Sequence, residues 1–245
     1  MKITRTIAAV AVTLAMLAQP AVAVASGTGD DPNPTKNVAT ALDAKVEREY
    51  QLWLRRQGPV AKGAMRSGRM LVDAPYKYFY TPSHMQETNY YCGPATVQVI
   101  DDYWGTPATQ TEIAKYLGTY TTHATDFSLV DNAINYFAGQ NYVYVTCASL
   151  SDTYYRIQYG LLTRGHPAAT DVKIDADLWP NYMFDHAGHI IPIEAFDWRY
   201  NTVRINDPYD EAYYQGGGAT YGHKTYSKTV VASGIMAHFR HAIVY

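Results

Sequence analysis

Apolar residues recur at spacings of three and four from Val38 to Gln57, placing Val38, Leu42, Val46, Tyr50 and Trp53 on one face of an amphipathic helix that ends at Gly58-Pro59. Val97, Ile100 and Trp104 mark a helix from Cys92 to Trp104, with Pro94 suited to its first turn and Gly105 stopping it. Thr109 with Glu112 three residues on forms a capping box for a helix to Leu117, which Gly118 ends. Phe127 to Phe137 repeats the helical spacing up to Gly139, and Ser151 to Leu162 gives a further helix. Strand patterns fall at Tyr142 to Cys147, Pro167 to Ile174, His189 to Trp198 and Asn201 to Asn206, and the short link from Trp198 to Thr202 predicts a hairpin. Helices first and strands later predict an α+β fold on an antiparallel sheet. The stretch Tyr209 to Tyr226, with Gly216-Gly217-Gly218, reads as a lid or a surface loop.

The first residues follow a different logic. Lys2 and Arg5, the apolar run Thr6 to Ala18 and the small residues Ala23-Val24-Ala25 read as a signal peptide over 1–25, predicting export with a mature chain from Ser26. No later stretch reaches the roughly 20 apolar residues of a membrane span, and the first cysteine is Cys92, so neither a membrane helix nor a lipid anchor is expected. Residues 26–70 form an N-terminal extension carrying the first helix. It either packs on the main domain or acts as a propeptide released in the Ala61 to Arg69 region, and the main domain runs over 71–245. Hydrophobic content of 47% supports a proper core, while a net charge of -2 with no basic stripe argues against nucleic acid as a partner.

Candidate chemistry centres on Cys92. Set where a helix begins, its thiolate is stabilised by unpaired N–H groups and the positive end of the helix dipole. The competing reading is a Cys92–Cys147 disulfide, since these are the chain's 2 cysteines and export permits oxidation. A nucleophile needs a base, and the base needs an orienting acceptor. Of 8 histidines, His189 is the best placed, following Gly188 at the head of Ile190-Ile191-Pro192-Ile193, with His186 the runner-up. Asp207 ends the neighbouring strand before Pro208, where a hairpin brings its carboxylate to the imidazole. His186 and His189 with Asp185 lack a third ligand at a metal-binding spacing, so no metal or cofactor is expected.

Gln86, the run Tyr91-Cys92-Gly93-Pro94-Ala95, the segment Leu161 to Pro167, Gly188-His189 and Asn206-Asp207-Pro208 stand in an order that resembles the C39-like cysteine peptidase family. The resemblance covers about Leu71 to Tyr245. It implies a papain-like fold in which Cys92 is the nucleophile, His189 the general base and Asp207 the orienting acid, while Gln86 and the Cys92 backbone N–H bind the oxyanion. The implied activity is that of an exported cysteine peptidase or amide hydrolase working through a thioester on a peptide or protein substrate. Members that cleave leader peptides after a double glycine sit at the front of transporters; this sequence shows neither membrane helices nor an ATP-binding glycine loop, so that substrate is not carried over. Two other readings stay open: a transglutaminase-like acyltransferase using the same triad, and a non-catalytic secreted binding protein with Cys92 oxidised.

Overall fold

The computed structural model describes residues 39–57 and 76–245. The expected signal peptide, the Ala61 to Arg69 linker and the boundary near Met70 lie outside the described residues. Helix α1 (Ala41–Arg56) starts at Thr40, whose side chain and Asp43 form a capping box. Its apolar face buries Val46 and Tyr50. The Tyr50 hydroxyl donates to Asp152 at 2.7 Å, and Glu47 pairs with Arg156 at 2.9 Å. These contacts lay α1 against the helix that begins at Leu150, and they are made to the main body of the protein.

Three helices follow on one side of the sheet: α2 (Cys92–Tyr103), α3 (Gln110–Leu117) and α4 (Val130–Ala138). Local signals set their limits as the sequence predicts. Thr109 and Glu112 make a reciprocal cap, and Gly118 and Gly139 end α3 and α4 in the left-handed conformation at φ 66° and 65°. The turn Phe127–Leu129 before α4 is a 3-10 helix capped by Asp126. Helix α5 (Leu150–Gln158) is shorter than its sequence pattern, because the chain widens into a π turn over Tyr159–Arg164. Gly160 lies in that turn with the Tyr245 side chain where a Cβ would stand.

The strands are β1 (Tyr76–Tyr78), β2 (Tyr144–Thr146), β3 (Ala168–Ile174), β4 (His186–Asp197), β5 (Thr202–Asp207), β6 (Gly222–Ser227) and β7 (Ala242–Val244). Among the described residues they make one antiparallel sheet in the order β2-β7-β3-β4-β5-β6, with β1 added along the far half of β4. Consecutive residues of β4 serve opposite layers, as strand alternation requires. Ile190 joins Val97, Ile100, Ile113 and Ile134 of the α2–α4 layer, whereas Ile191 and Ile193 join Tyr155, Val231 and Ile235 of the other.

Two expectations are corrected. The stretch Tyr209 to Tyr226 is not a plain loop: it holds a short helix, α6 (Glu211–Gln215), and most of the edge strand β6. Among its six residues β6 buries Gly222 and Tyr226, too little apolar alternation to be seen in sequence. Nor do helices stop once strands begin. Helix α7 (Lys228–Ala237) returns between β6 and β7, with Gly234 so close to Trp179 that a Cβ there would overlap the indole.

Candidate active site

Cys92 is fully buried at the start of α2, where Tyr91 provides no side-chain cap and Pro94 contributes no N–H. The first turn is held from two sides. Thr96 donates its hydroxyl to the Ile190 carbonyl at 2.9 Å, tying α2 to β4 one residue beyond His189. On the other side Gly93 meets Thr125, and a Cβ on Gly93 would overlap the threonine side chain. The Gly of Cys-Gly-Pro is therefore a close-approach residue, which lets the Thr119–Thr125 loop press on the helix start. No disulfide joins Cys92 and Cys147. The two sit in different core clusters, and burial pushes the Cys147 thiol up to about 12, as befits an inert core residue.

His189 and Asp207 come together across β4 and β5. Ile193 pairs with Ile205, which in an antiparallel ladder puts Asp207 diagonally across from His189 and on the same face. His189 Nε2 lies 2.8 Å from Asp207 Oδ1, and both side chains are fully buried. The Tyr209 backbone N–H donates to the same oxygen at 2.9 Å, and the Tyr182 hydroxyl donates to Oδ2. His189 Nδ1 is buried with no hydrogen-bond partner among the described residues. With Nε2 carrying the proton toward the carboxylate, Nδ1 is the nitrogen that presents a lone pair.

His186, the alternative base, is committed elsewhere. Its Nε2 lies 3.0 Å from Glu211 Oε1, and both groups are fully buried. Glu211 also accepts the backbone N–H groups of Met183 at 2.7 Å, Phe184 at 3.0 Å and Gly218 at 2.9 Å. Burial opposes its charge, but the Gly218 and Met183 amides, His186 and the Phe184 amide outweigh that and hold its carboxyl below the usual range. Asp185 is exposed and accepts the Ala176 N–H, so it does not converge with the two histidines. The rings of Tyr182 and Tyr209 each stand edge-on to both imidazoles, with centroids 5.4 to 6.5 Å apart. Sequence reasoning missed Glu211 and Tyr182; the available hint was an acidic residue shortly before a triple glycine.

Gln86 is buried beside the end of β5: its backbone N–H donates to the Pro208 carbonyl at 2.9 Å, and Tyr214 donates to its own carbonyl. Its carboxamide nitrogen donates to Thr88 O at 2.7 Å. The loop leading to it is pinned from the opposite face of β4 and β5. Buried Glu194 accepts the Thr81 hydroxyl at 2.8 Å, and Asn206 donates its amide to Thr81 Oγ1, Thr81 O and Pro82 O at 2.9 to 3.2 Å. Ser83, His223 and Glu194 line up nearby, with 3.3 Å from Ser83 Oγ to His223 Nε2 and 2.9 Å from His223 Nδ1 to Glu194. This is not a second nucleophilic triad. The Ser83 proton goes to Asn206 Oδ1 at 2.8 Å, and the Asn206 amide cannot turn away without losing Thr81 and Pro82.

A sequence comparison assigns the chain to a family. The model of the Peptidase_C39 like family matches residues 78–230, and the chain belongs to that family. The match begins within β1 and leaves α1 outside it. Its architecture is α+β on an antiparallel sheet. Among solved structures the chain is similar to the peptidase domain of Streptococcus ComA, a bi-functional ABC transporter involved in a quorum-sensing pathway, at 15% identity over 68% of this chain and 97% of that one, with a TM-score of 0.45. A putative C39-like peptidase from Bacillus anthracis matches at 13% identity over 70% and 98%, with a TM-score of 0.45. A double glycine motif protease from an AMS/PCAT transporter, solved with the leader peptide, matches at 14% identity over 69% and 91%, with a TM-score of 0.43. No curated protein matches the chain. Among the described residues no helix is long and apolar enough to cross a membrane.

Proposed function

We propose that the protein is an exported cysteine peptidase or related amide hydrolase, with Cys92 as nucleophile, His189 as general base, Asp207 as its orienting acid and Gln86 as an oxyanion donor. The observation that carries this reading is the buried His189–Asp207 hydrogen bond, which leaves Nδ1 as the basic nitrogen on the strand to which the first turn of α2 is tied. Nδ1 takes the Cys92 proton, and the thiolate attacks the carbonyl carbon of a peptide bond. Charge gathers on the carbonyl oxygen. The Gln86 amide, steadied by the Thr88 carbonyl, and the Cys92 backbone N–H stabilise it; one such donor contributes roughly 3 kcal/mol. The imidazolium then returns its proton to the leaving amine, giving a thioester, and a water activated by His189 hydrolyses it to the acid and free thiol. Substrate is a peptide or protein outside the cell, in keeping with the signal-peptide pattern of residues 1–25.

The test is a cleavage-site screen of an extracellular proteome with wild-type protein and with C92A. Peptides released by the first and absent with the second are the expected result. Gln86→Ala should lower kcat by about 100-fold or more with KM little changed. Identical peptide profiles from wild type and C92A would overturn the assignment.

A further inference from the structure

The carboxylate that orients His189 has a second oxygen, and the structure assigns its partner. We propose that Tyr182 is a positioning residue for the site: its hydroxyl fixes Asp207 Oδ2, and Glu211 with Gly217 and Gly218 holds the segment that presents it. This rests on the reading of Cys92, His189 and Asp207 given above.

A buried carboxylate has four lone-pair directions, and one hydrogen bond to an imidazole leaves it free to rotate about its Cβ–Cγ bond. Here Oδ1 takes the His189 and Tyr209 N–H groups while Oδ2 takes the Tyr182 hydroxyl, so rotation would break a bond at either end. Tyr182 is 5% exposed, and burial together with the neighbouring Asp207 charge keeps its phenol protonated far into the alkaline range. It is a constant donor.

Tyr182 lies between β3 and β4, and its position is secured at some cost in backbone freedom. Asn181 turns the chain at φ 80°, a conformation asparagine tolerates better than most residues. Met183 and Phe184 then give both their N–H groups to Glu211, so the two residues after Tyr182 are fixed. The triple glycine after α6 completes the clamp. Gly218 donates its N–H to Glu211 and passes so close to the Asn181 carbonyl that a Cβ would overlap it; Gly217 is equally tight against the Glu211 carboxylate. This accounts for Gly217-Gly218 and for the buried His186–Glu211 pair, neither of which the reaction itself uses. The groups facing Asp207 and His189 here are Tyr182, Tyr209, the Tyr226 phenol near Asp207 and, beyond the Tyr182 and Tyr209 rings, His186 with Glu211.

Alkylation of Cys92 by iodoacetate tests the role without knowledge of the substrate. The reagent's carboxylate is drawn by imidazolium, so a thiolate–imidazolium pair gives a bell-shaped rate profile whose alkaline limb marks loss of the His189 proton. Removing the Tyr182 hydroxyl with Y182F leaves more negative charge on Asp207, which favours imidazolium, and moves that limb up by about half a pH unit or more. A ring that only fills space leaves the limb where it was. A wild-type bell lost in H189A but unchanged in Y182F overturns the role of Tyr182 alone. A wild-type profile without a bell, identical to that of H189A, overturns the functional reading and this inference with it. If Y182F does not fold, G217A replaces it: the added methyl group displaces the Glu211 carboxylate while keeping its charge, the loosened clamp shifts the alkaline limb in the same direction, and a wild-type limb overturns the inference.

Discussion

Asp101 gives the sharpest test of the physics of the helix that carries Cys92. It lies in the second half of α2, fully buried, and neither carboxyl oxygen has a hydrogen-bond partner among the described residues. Burial alone raises its pKa to about 8, against about 3.9 in an unfolded chain. Between those values the folded protein holds a proton that the unfolded chain has lost, so stability falls as pH rises, at up to about 1.4 kcal/mol per unit. From pH 5 to pH 8 the loss is therefore at most about 4 kcal/mol, and about half of that if water reaches the carboxyl in local openings. Asp101→Asn keeps the shape and removes the titration. Urea unfolding at pH 5 and pH 8 should show the variant's stability advantage over wild type growing by roughly 2 to 4 kcal/mol between the two. Parallel stability profiles for the two proteins would refute the claim that a neutral carboxyl is buried here.

Gly93→Ala should cost about 1 to 3 kcal/mol, since α2 or Thr125 must move to admit the methyl group, and should slow Cys92 alkylation along with it. Urea midpoints and an alkylation rate measure both. His166 titrates with the opposite sense to Asp101. Burial holds it down to about 4, so the folded state binds fewer protons than the unfolded chain between about pH 6.5 and 4, and stability drains away as the pH falls through that window. His166→Gln, which can still donate to the Pro167 carbonyl, should flatten that acid-side loss, as thermal melts from pH 7 to pH 4 would show.

Much of the helical layer and four of the strands could be read from the chain itself, because their determinants are local. Thr109 and Glu112 are three residues apart, Gly118 and Gly139 end helices by their own backbone conformation, and the α1 stripe repeats every three or four residues. Helix α7 and strands β1, β6 and β7 were not legible. They are short or weakly patterned and form because neighbouring strands and the Trp179 surface accept them.

The candidate site divides in the same way. The identities of Cys92, His189, Asp207 and Gln86 and their order stand in the sequence as motifs, each made of a few adjacent residues. Their surroundings do not. Tyr182 meets Asp207, and Glu211 gathers His186, Met183, Phe184 and Gly218, through contacts between segments far apart in the chain. Asp101 likewise reads as a polar position on a helix and becomes a buried acid only when α2 packs into the core. The sequence alone determined most of the helices and which residues are candidates for chemistry, since capping, periodicity and motif spacing act over a few residues. Tertiary structure alone decided which carboxylates are paired, which are left buried and protonated, and what holds Asp207 in place, because desolvation and hydrogen-bond geometry depend on residues brought together only by packing.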